Sequence, residues 1–318
     1  MLFRSLHVLA PDAQGPPPLG MCTPIAEMPA WDPGAGPYVD TIMAIFKKPS
    51  CKDPVWSPDT REEMRARTLA ELEKHDVIGV LSGDSDKDIA DWRKASPERI
   101  IPALGDSIRM PVVDAATVAR VKAMKASGDL VVLSEIGPQY MGMAPDDPRL
   151  EPFWALAEEL DLPVGIHVGT GPPGTPYLAP PLKDYRARLH SALVIEEVLA
   201  RHPKLRVYLM HAGYPMIDDL LAVLYTHPQV YVDVGVIVYT QPRPAFYRYL
   251  QAIVEAGFAK RVMFGSDNMV WPETIGRSIE VIQQAPFLSE AQKRDIFYNN
   301  AARFLRLDAA TIARHHAL

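Results

Sequence analysis

The chain has 318 residues, of which 48% are apolar and 23% are charged, and its formal net charge is −6 at pH 7. This composition is typical of a soluble globular protein with a large core, and the negative charge argues against nucleic acid or anionic lipid as a partner. No apolar run reaches the roughly 18–20 residues that span a bilayer, so we expect no membrane segment.

The N-terminal residues predict a short first strand and no targeting signal. Residues 2–9 are mostly apolar, carry one charge and end before Pro11. A secretory signal needs a longer apolar region behind a positively charged start. We therefore expect a cytoplasmic protein.

Residues 10–58 predict a long insertion after this first strand. Many of the 31 prolines of the chain fall here, and there is no sustained hydrophobic periodicity. The segment nevertheless contains Trp31, Tyr38, Phe46 and Trp56, which are uncommon in disordered linkers. Because long loops inside compact domains are usually functional, we predict a lid-like insertion over the mouth of a pocket. An N-terminal arm used in oligomer contacts is the alternative.

The two cysteines, Cys22 and Cys51, both lie in this insertion. Neither belongs to a Cys-x-x-Cys motif or to a Cys/His zinc spacing. Since disulfides are rare in the cytosol, we expect two unpaired thiols, with a loop-closing bridge as the alternative.

From residue 59 onward, predicted helices and strands alternate. Thr60 or Asp59 caps the first of these helices, which has acidic residues in its first turn. The strands are short apolar runs, as expected for parallel strands buried on both faces. The predicted strands cover residues 2–9, 77–82, 100–104, 130–137, 163–168, 206–211, 230–235 and 261–265. The predicted helices cover residues 60–75, 85–95, 112–127, 148–160, 189–202, 215–227, 243–258 and a stretch from about 272.

This alternation predicts an α/β fold with a parallel sheet. Eight strand–helix units in a chain of this length favour a (β/α)8 TIM barrel over an open sheet. No Gly-x-Gly-x-x-Gly motif follows a strand and no Gly-Lys-Ser/Thr loop occurs, which argues against nucleotide-binding folds. We therefore predict one barrel domain over residues 1–318, with the Pro-rich insertion at 10–58 and extra C-terminal helices.

Three predicted strands end on residues that can bind metals or transfer protons. His167 follows Val-Gly-Ile, His211 follows Tyr-Leu-Met and Asp267 follows Phe-Gly-Ser. Because the carboxyl ends of barrel strands converge on one pocket, these side chains would form a site for a divalent cation and for proton transfer.

Each of the three has a proposed role and an alternative. We expect His167 to be a metal ligand; a hydrogen-bonded core histidine is the alternative. His211 is expected to be a ligand or a general acid/base. Asp267 would bind the cation and accept a proton from its water, and it lies too early in the chain to cap the helix predicted from about residue 272.

Two further carboxylates interrupt apolar strands. Glu135 follows Leu-Val-Val-Leu-Ser and needs a partner, which could be a histidine, an arginine or the metal. We expect it to contact the substrate or a metal ligand in preference to the metal itself. For Asp233 we expect a structural hydrogen bond.

Most other histidines have positions that predict no catalytic role. Histidine suits a helix C-terminus because of the helix dipole, and the remaining ones open a helix or belong to a terminal helix. The histidines at predicted helix C-termini are His75, His202 and His227. His190 opens a predicted helix, and His315 and His316 belong to the terminal helix.

The strand ends, together with Glu135-Ile-Gly-Pro-Gln-Tyr140, Arg201-His-Pro-Lys-Leu-Arg206 and Asn299-Asn-Ala-Ala-Arg-Phe-Leu305, resemble the amidohydrolase superfamily. The resemblance runs from about residue 59 to 307. It is greatest to the amidohydrolase-related group that includes aminocarboxymuconate-semialdehyde decarboxylase and aromatic-acid decarboxylases. The resemblance implies a (β/α)8 barrel with a divalent metal, usually zinc, at the carboxyl ends of the strands.

The resemblance also implies residue roles. His167 would be a ligand on strand five, His211 would activate water or stabilise the transition state from strand six, and Asp267 would be the ligand and base on strand eight. The family's first strand ends in His-x-His, whereas this chain has Ser5 and His7 at those positions. His7, His167 and Asp267 would then hold the metal, zinc or manganese, with an open position for water. Recruitment of His211 as a ligand and metal-free catalysis are the alternatives.

We therefore predict a metal-dependent hydrolase that attacks an amide, ester or lactone carbonyl of a small molecule. His211, Asp267 and Glu135 are its predicted catalytic residues. A non-oxidative decarboxylase of an aromatic or unsaturated carboxylic acid is the first alternative. An inactive barrel used for binding is the second. A homodimer is expected from the resemblance.

Overall fold

The computed structural model of the protein describes residues 2–105 and 113–318, with the backbone alone for residues 2–5, 7, 8 and 105. Its strands, in chain order, are β1 (Leu2–Val8), β2 (Gly20–Met21), β3 (Val55–Trp56), β4 (Val77–Gly83), β5 (Ile100–Gly105), β6 (Leu133–Ile136), β7 (Val164–His167), β8 (Val207–Met210), β9 (Tyr231–Asp233) and β10 (Val262–Met263).

The helices lie between these strands in the chain or follow the last of them. They are α1 (Tyr38–Lys47), α2 (Arg61–Lys74), α3 (Asp86–Ala95), α4 (Ala115–Ser127), α5 (Glu151–Glu159), α6 (Glu196–Arg201), α7 (Ile217–Thr226), α8 (Ile237–Thr240), α9 (Arg243–Ile253), α10 (Thr274–Gln283), α11 (Glu290–Arg294), α12 (Asn300–Phe304) and α13 (Ala309–His316). In the described ranges, no helix is both long enough and apolar enough to cross a bilayer.

All strands except β2 and β3 are parallel, and they follow one another in chain order. One group has the order β1-β4-β5 and the other runs from β6 to β10. A parallel bridge between Ala103 and Val132 joins the two groups. Sequential parallel strands connected by helices are the topology of a (β/α)8 barrel, as the sequence predicts.

Burial explains why the central strands form. All four residues of β7 and of β8 are buried, and Val164, Ile166, Val207 and Leu209 have no exposed surface. Such strands are covered on both faces and therefore read as continuous apolar runs. His167 ends β7 as a polar exception, which places its side chain at the carboxyl edge of the sheet.

Most predicted elements are present, and one helix is shorter than predicted. Thr60 caps α2 by accepting a hydrogen bond from Glu63 N at 3.1 Å. The helix predicted over 189–202 is reduced to α6, preceded by two 3₁₀ turns. The reason is Ser191, whose backbone is extended and whose hydroxyl accepts from Leu193 N, so that a new helical start is imposed inside the predicted span.

The segment 10–58, predicted as a lid-like insertion without sustained periodicity, contains regular secondary structure. It contains α1 and an antiparallel pair in which β2 lies beside β3. The expectation of unpaired thiols is also wrong, because Cys22 and Cys51 form a disulfide with their Cα atoms 5.8 Å apart. Cys22 directly follows β2 and Cys51 shortly precedes β3, so the strand pairing brings the two cysteines together.

The segment packs on loops that follow the carboxyl ends of the strands. Trp271, after β10, donates from Nε1 to Leu19 O at 2.9 Å, and Ile25 N donates to Thr240 O at 3.0 Å, after β9. Tyr38 packs against Gly174, in the connection after β7. The insertion is therefore on the side of the sheet where the predicted site residues lie.

Candidate active site

Four of the predicted site residues lie together at the carboxyl ends of the strands. Glu135 is in β6, His167 ends β7, His211 directly follows β8 and Asp267 follows β10. Their exposed fractions are 4%, 4%, 1% and 4% in the same order. Burying this many ionisable groups is unfavourable unless they are paired or bind a ligand, so the cluster is a candidate functional site.

The three side chains nearest one another are Glu135, His167 and His211. Glu135 Oε1 is 2.5 Å from His167 Nδ1, and His211 Nε2 is 3.1 Å from the same nitrogen. His211 Nε2 is also 3.6 Å from Glu135 Oε1. One potential ligand atom from each residue lies within 4.8 Å of the others, and in the described part of the chain this is the group that could hold a metal ion.

These donors suit a divalent cation. Two imidazole nitrogens and one carboxylate oxygen form a common ligand set of catalytic zinc sites, where each bond is about 2.0–2.2 Å long and a fourth position stays open. Ligands bound at that length around one cation are about 3.4 Å apart in a tetrahedral arrangement. The separations of 3.1 and 3.6 Å from His211 Nε2 are close to this value. The third separation, 2.5 Å between Glu135 Oε1 and His167 Nδ1, is that of a hydrogen bond and would have to lengthen around a cation.

The ring of His211 is oriented by its backbone neighbours. Nδ1 of His211 donates to the carbonyl of Gly235 at 3.0 Å, which turns Nε2 toward Glu135 and His167. Asp233 accepts hydrogen bonds from His211 N at 3.0 Å and from Gly235 N at 2.9 Å. Asp233 therefore makes the structural hydrogen bond expected from the sequence, and it holds the His211 backbone in place.

Asp267 lies on the other side of His211. Its Oδ2 atom is 3.9 Å from His211 Nδ1, and its carbonyl oxygen accepts a hydrogen bond from Tyr239 OH at 2.9 Å. The φ angles of His211 and Asp267 are +62° and +47°, in the left-handed region that non-glycine residues rarely adopt. Backbone strain of this kind concentrates at functional sites, where the surrounding structure holds it.

The pKa values of the two histidines in the cluster are shifted in opposite directions. Burial lowers the pKa of His211, but the hydrogen bond and charge of Glu135, with the charges of Asp267 and Asp233, outweigh burial and raise it to about 9. Burial and the charge of His211 lower the pKa of His167. The surroundings thus favour the protonated form of His211 and the neutral form of His167.

Three aromatic residues around His167 were not predicted. Tyr140 OH is 3.3 Å from His167 Nε2, and the ring of His190 is 5.3 Å from that of His167 and stacks on Tyr185 at 4.3 Å. The expectation that His190 opens a helix is wrong, because it ends the 3₁₀ turn Ala187–His190, and it is fully buried beside the site. A sequence signal for Tyr140 exists, because this residue ends the segment 135–140 that resembles the amidohydrolase superfamily. His190 has no such signal, because its position depends on how the connection after β7 folds.

The predicted ligand set of His7, His167 and Asp267 differs from the observed grouping. The side chains of His7 and Ser5 lie outside the described residues, so His7 stays a predicted ligand. On the backbone, His7 pairs in register with Ser82 of β4. Among the described side chains, Glu135 and His211 complete the group with His167, while Asp267 is next to it.

A parallel (β/α)8 barrel with buried imidazoles and carboxylates at the carboxyl ends of its strands defines an enzyme of the TIM-barrel class. The family model described as Amidohydrolase, Amidohydro_2, matches residues 41–307. The chain belongs to this amidohydrolase family, and the resemblance seen in the strand ends is confirmed.

Several similar proteins are decarboxylases. Gamma-resorcylate decarboxylase of Rhodococcus jostii (strain RHA1) is 29% identical over 192 residues, which cover 51% of this chain and 56% of the relative. The match therefore spans little more than half of the relative's length. Among solved structures, 2,6-dihydroxybenzoate decarboxylase from Rhizobium has a TM-score of 0.57 at 17% identity, covering 97% of this chain and all of that chain.

A dihydroxybenzoic acid decarboxylase from Polaromonas sp. JS666, with bound manganese and the inhibitor 2-nitroresorcinol, has a TM-score of 0.56 at 15% identity. It covers 79% of this chain and 91% of that chain. At these identities the structural likeness shows a shared barrel fold and no more.

Proposed function

We propose that this protein is a non-oxidative decarboxylase of an aromatic or unsaturated carboxylic acid. The observation that carries the proposal is the buried cluster in which the Glu135, His167 and His211 donors lie within 4.8 Å of one another, with Asp267 beside His211. This arrangement joins a potential cation site to groups that can move a proton. The sequence similarity to gamma-resorcylate decarboxylase supports this reaction over hydrolysis.

The hydrolase function predicted from the sequence is compatible with the family as a whole, because the matching family model is that of amidohydrolases. The similar proteins favour the alternative that the sequence also allowed. A decarboxylase needs the same kinds of residue as a hydrolase, namely a charged group to hold the carboxylate and an acid to deliver a proton.

Glu135, His167 and His211 are the described side chains that would hold a divalent metal, and His7 and Asp267 stay in the proposal as further ligands. A divalent cation would supply positive charge that holds and neutralises the substrate carboxylate and an adjacent oxygen. Manganese, present in one structural neighbour, is a candidate beside zinc. A cation at His211 Nε2 would take the place of the proton that Glu135 stabilises there.

The protein's own residues then handle the proton. In the proposed reaction, the carbon that bears the carboxylate accepts a proton from the carboxyl group of Asp267, which lies beside His211. The bond between that carbon and the carboxylate breaks, CO₂ leaves, and the bonding electrons return to the ring or double bond. Burial of these groups keeps solvent away from the reacting carbon and strengthens their electrostatic interactions.

Product analysis tests this function. The purified protein, loaded with Mn²⁺ or Zn²⁺, is incubated with a panel of hydroxybenzoates and unsaturated acids in D₂O, and parallel samples contain ¹⁸O-labelled water. We expect one CO₂ per turnover and deuterium at the carbon that lost the carboxylate. Incorporation of ¹⁸O without CO₂ release would show a hydrolase, and no turnover of either kind would favour the inactive barrel.

A further inference from the structure

The stretch 19–25, which contains the disulfide-bonded Cys22, contacts residues near Asp267 on two sides. On one side, Trp271 Nε1 donates to Leu19 O at 2.9 Å. On the other, Ile25 N donates to Thr240 O at 3.0 Å. Leu19 and Ile25 lie three residues before and after Cys22, so both contacts come from the same short stretch of chain.

Each of the two contacts connects to Asp267 through neighbouring residues. Trp271 belongs to the same loop as Asp267, and its backbone nitrogen donates to Asn268 O at 2.8 Å. Thr240 is the neighbour of Tyr239, whose hydroxyl donates to the carbonyl of Asp267 at 2.9 Å. Both Trp271 and Tyr239 are only 2% exposed, so neither has room to adopt another orientation without repacking.

Burial, hydrogen bonds and the disulfide together hold this stretch, in which Leu19 is fully buried. Leu19 O also accepts from Ser57 N at 2.8 Å, and β2 and β3 contribute only two residues each. Two-stranded pairs of this size are marginally stable by themselves. The disulfide joins the two sides of this pair and limits the conformations of the chain between its cysteines, which are 29 positions apart.

We propose that the stretch 19–25, held by the disulfide at Cys22, positions Asp267, with Trp271 and Tyr239 as the positioning residues that connect the two. The inference rests on the proposed function in one respect, namely that Asp267 takes part in the reaction. Without the disulfide, the stretch 19–25 loses one of its restraints, and the loop of Asp267 gains freedom. A misplacement of about 1 Å at a reacting group can slow a reaction about 100-fold, so a loss of roughly tenfold in kcat is expected for a loosened loop.

The experiment removes the disulfide in two ways. One is the double variant Cys22→Ser/Cys51→Ser. The other is reduction of the folded wild type by dithiothreitol, which supplies two electrons, converts the disulfide into two thiols and is itself oxidised to a cyclic disulfide. Alkylation and mass spectrometry confirm the reduction, and the double variant treated with dithiothreitol controls for effects of the reagent elsewhere.

Two readouts are measured on each sample. We expect kcat to fall about tenfold while KM changes less than twofold, because the substrate-binding groups stay in place. We also expect faster hydrogen exchange at the amides of residues 266–271, with unchanged exchange in β6, β7 and β8. The second readout requires no turnover, so it decides the positioning role even if the protein proves not to be a decarboxylase.

Matched substitutions test the two connections with the disulfide intact. Trp271→Phe and Tyr239→Phe remove one hydrogen bond each. Trp154→Phe and Tyr247→Phe are the controls, since these side chains donate to Pro145 O and Val281 O at 2.8 Å, away from Asp267. We expect only the first pair to lower kcat and to speed exchange at 266–271. Unchanged exchange there after loss of the disulfide, or unchanged kcat in an active enzyme, would overturn the proposal.

Discussion

The imidazole of His211 faces the carboxylate of Glu135, with 3.6 Å between Nε2 and Oε1. The contact reaches from the end of β8 to β6 across the intervening strand β7, which supplies His167. It exists because the other ring nitrogen of His211 is held by the carbonyl of Gly235. Three strand ends thus contribute one donor each to a single cluster, and this geometry leads to the first two predictions.

Substitution of Glu135 by Gln should weaken metal binding and activity. The amide keeps the size of the side chain but removes the negative charge, which both attracts a cation and sustains the proton on His211. We expect metal affinity and kcat/KM to fall roughly 10- to 100-fold, a range typical of groups that support a metal site. Metal analysis after dialysis, together with steady-state kinetics, measures both. The surface variant Glu196→Gln, which removes a contact to His227, should retain wild-type values.

Substitution of Asp267 by Asn should abolish most turnover while the fold survives. Asn cannot accept and return a proton, and loss of such a group commonly lowers the rate about 10²- to 10⁴-fold. Thermal unfolding and circular dichroism of the variant should resemble those of the wild type. Asp91→Asn, which breaks an exposed ion pair with Lys87, is the matched control. An Asp267→Asn enzyme with full activity would exclude Asp267 as the proton-transfer group.

Substitution of Gly174 by Ala should destabilise the protein more than substitution of Gly128. Both glycines have left-handed φ angles, +70° and +78°. A Cβ at Gly174 would lie 2.0 Å from the ring of Tyr38, whereas nothing lies within 4 Å of a Cβ at Gly128. Gly128→Ala should therefore lower the free energy of unfolding by about 1 kcal/mol, the strain of the backbone alone. Gly174→Ala should lower the free energy of unfolding by about 1–3 kcal/mol more than this, because Tyr38 must also move.

Urea unfolding of the two glycine variants measures this difference directly. The same substitution should also displace the insertion, since Tyr38 begins α1 and packs beside Trp31, with 5.5 Å between their ring centroids. Equal destabilisation by the two variants would show that the contact between Tyr38 and Gly174 is not close in solution.

The carboxyl of Asp147 should titrate well below other aspartates. Hydrogen bonds from the Arg149 side chain, at 2.8 Å from Nε and from Nη2, and from its backbone nitrogen lower the pKa of Asp147 to about 2. Because the folded pKa is below the unfolded value, the folded chain binds fewer protons. This contribution to stability is present above about pH 4 and is lost as the pH falls toward 2. In NMR titrations, Arg149→Gln should raise the pKa toward 3.8, while Arg188→Gln should leave it unchanged.

Local patterns in the sequence were sufficient for the elements that line the site. The apolar runs before His167 and His211 predicted β7 and β8, because a strand buried on both faces needs apolar residues at every position. The polar residue that ends such a run then marks the carboxyl edge of the sheet. Repetition of this pattern along the chain also determined the barrel, since helices must separate parallel strands.

Tertiary structure decided which of these residues meet. Glu135 joined the donor group because β6 lies beside β7, and His190 reached His167 because the connection after β7 folds back over it, neither of which leaves a periodic signal. The pairing of β2 with β3 likewise brought Cys22 and Cys51 together, against the expectation drawn from the predicted cytosolic compartment. Spacing along a chain reports which side of an element a residue occupies, whereas contacts between distant segments depend on packing free energy summed over the whole barrel.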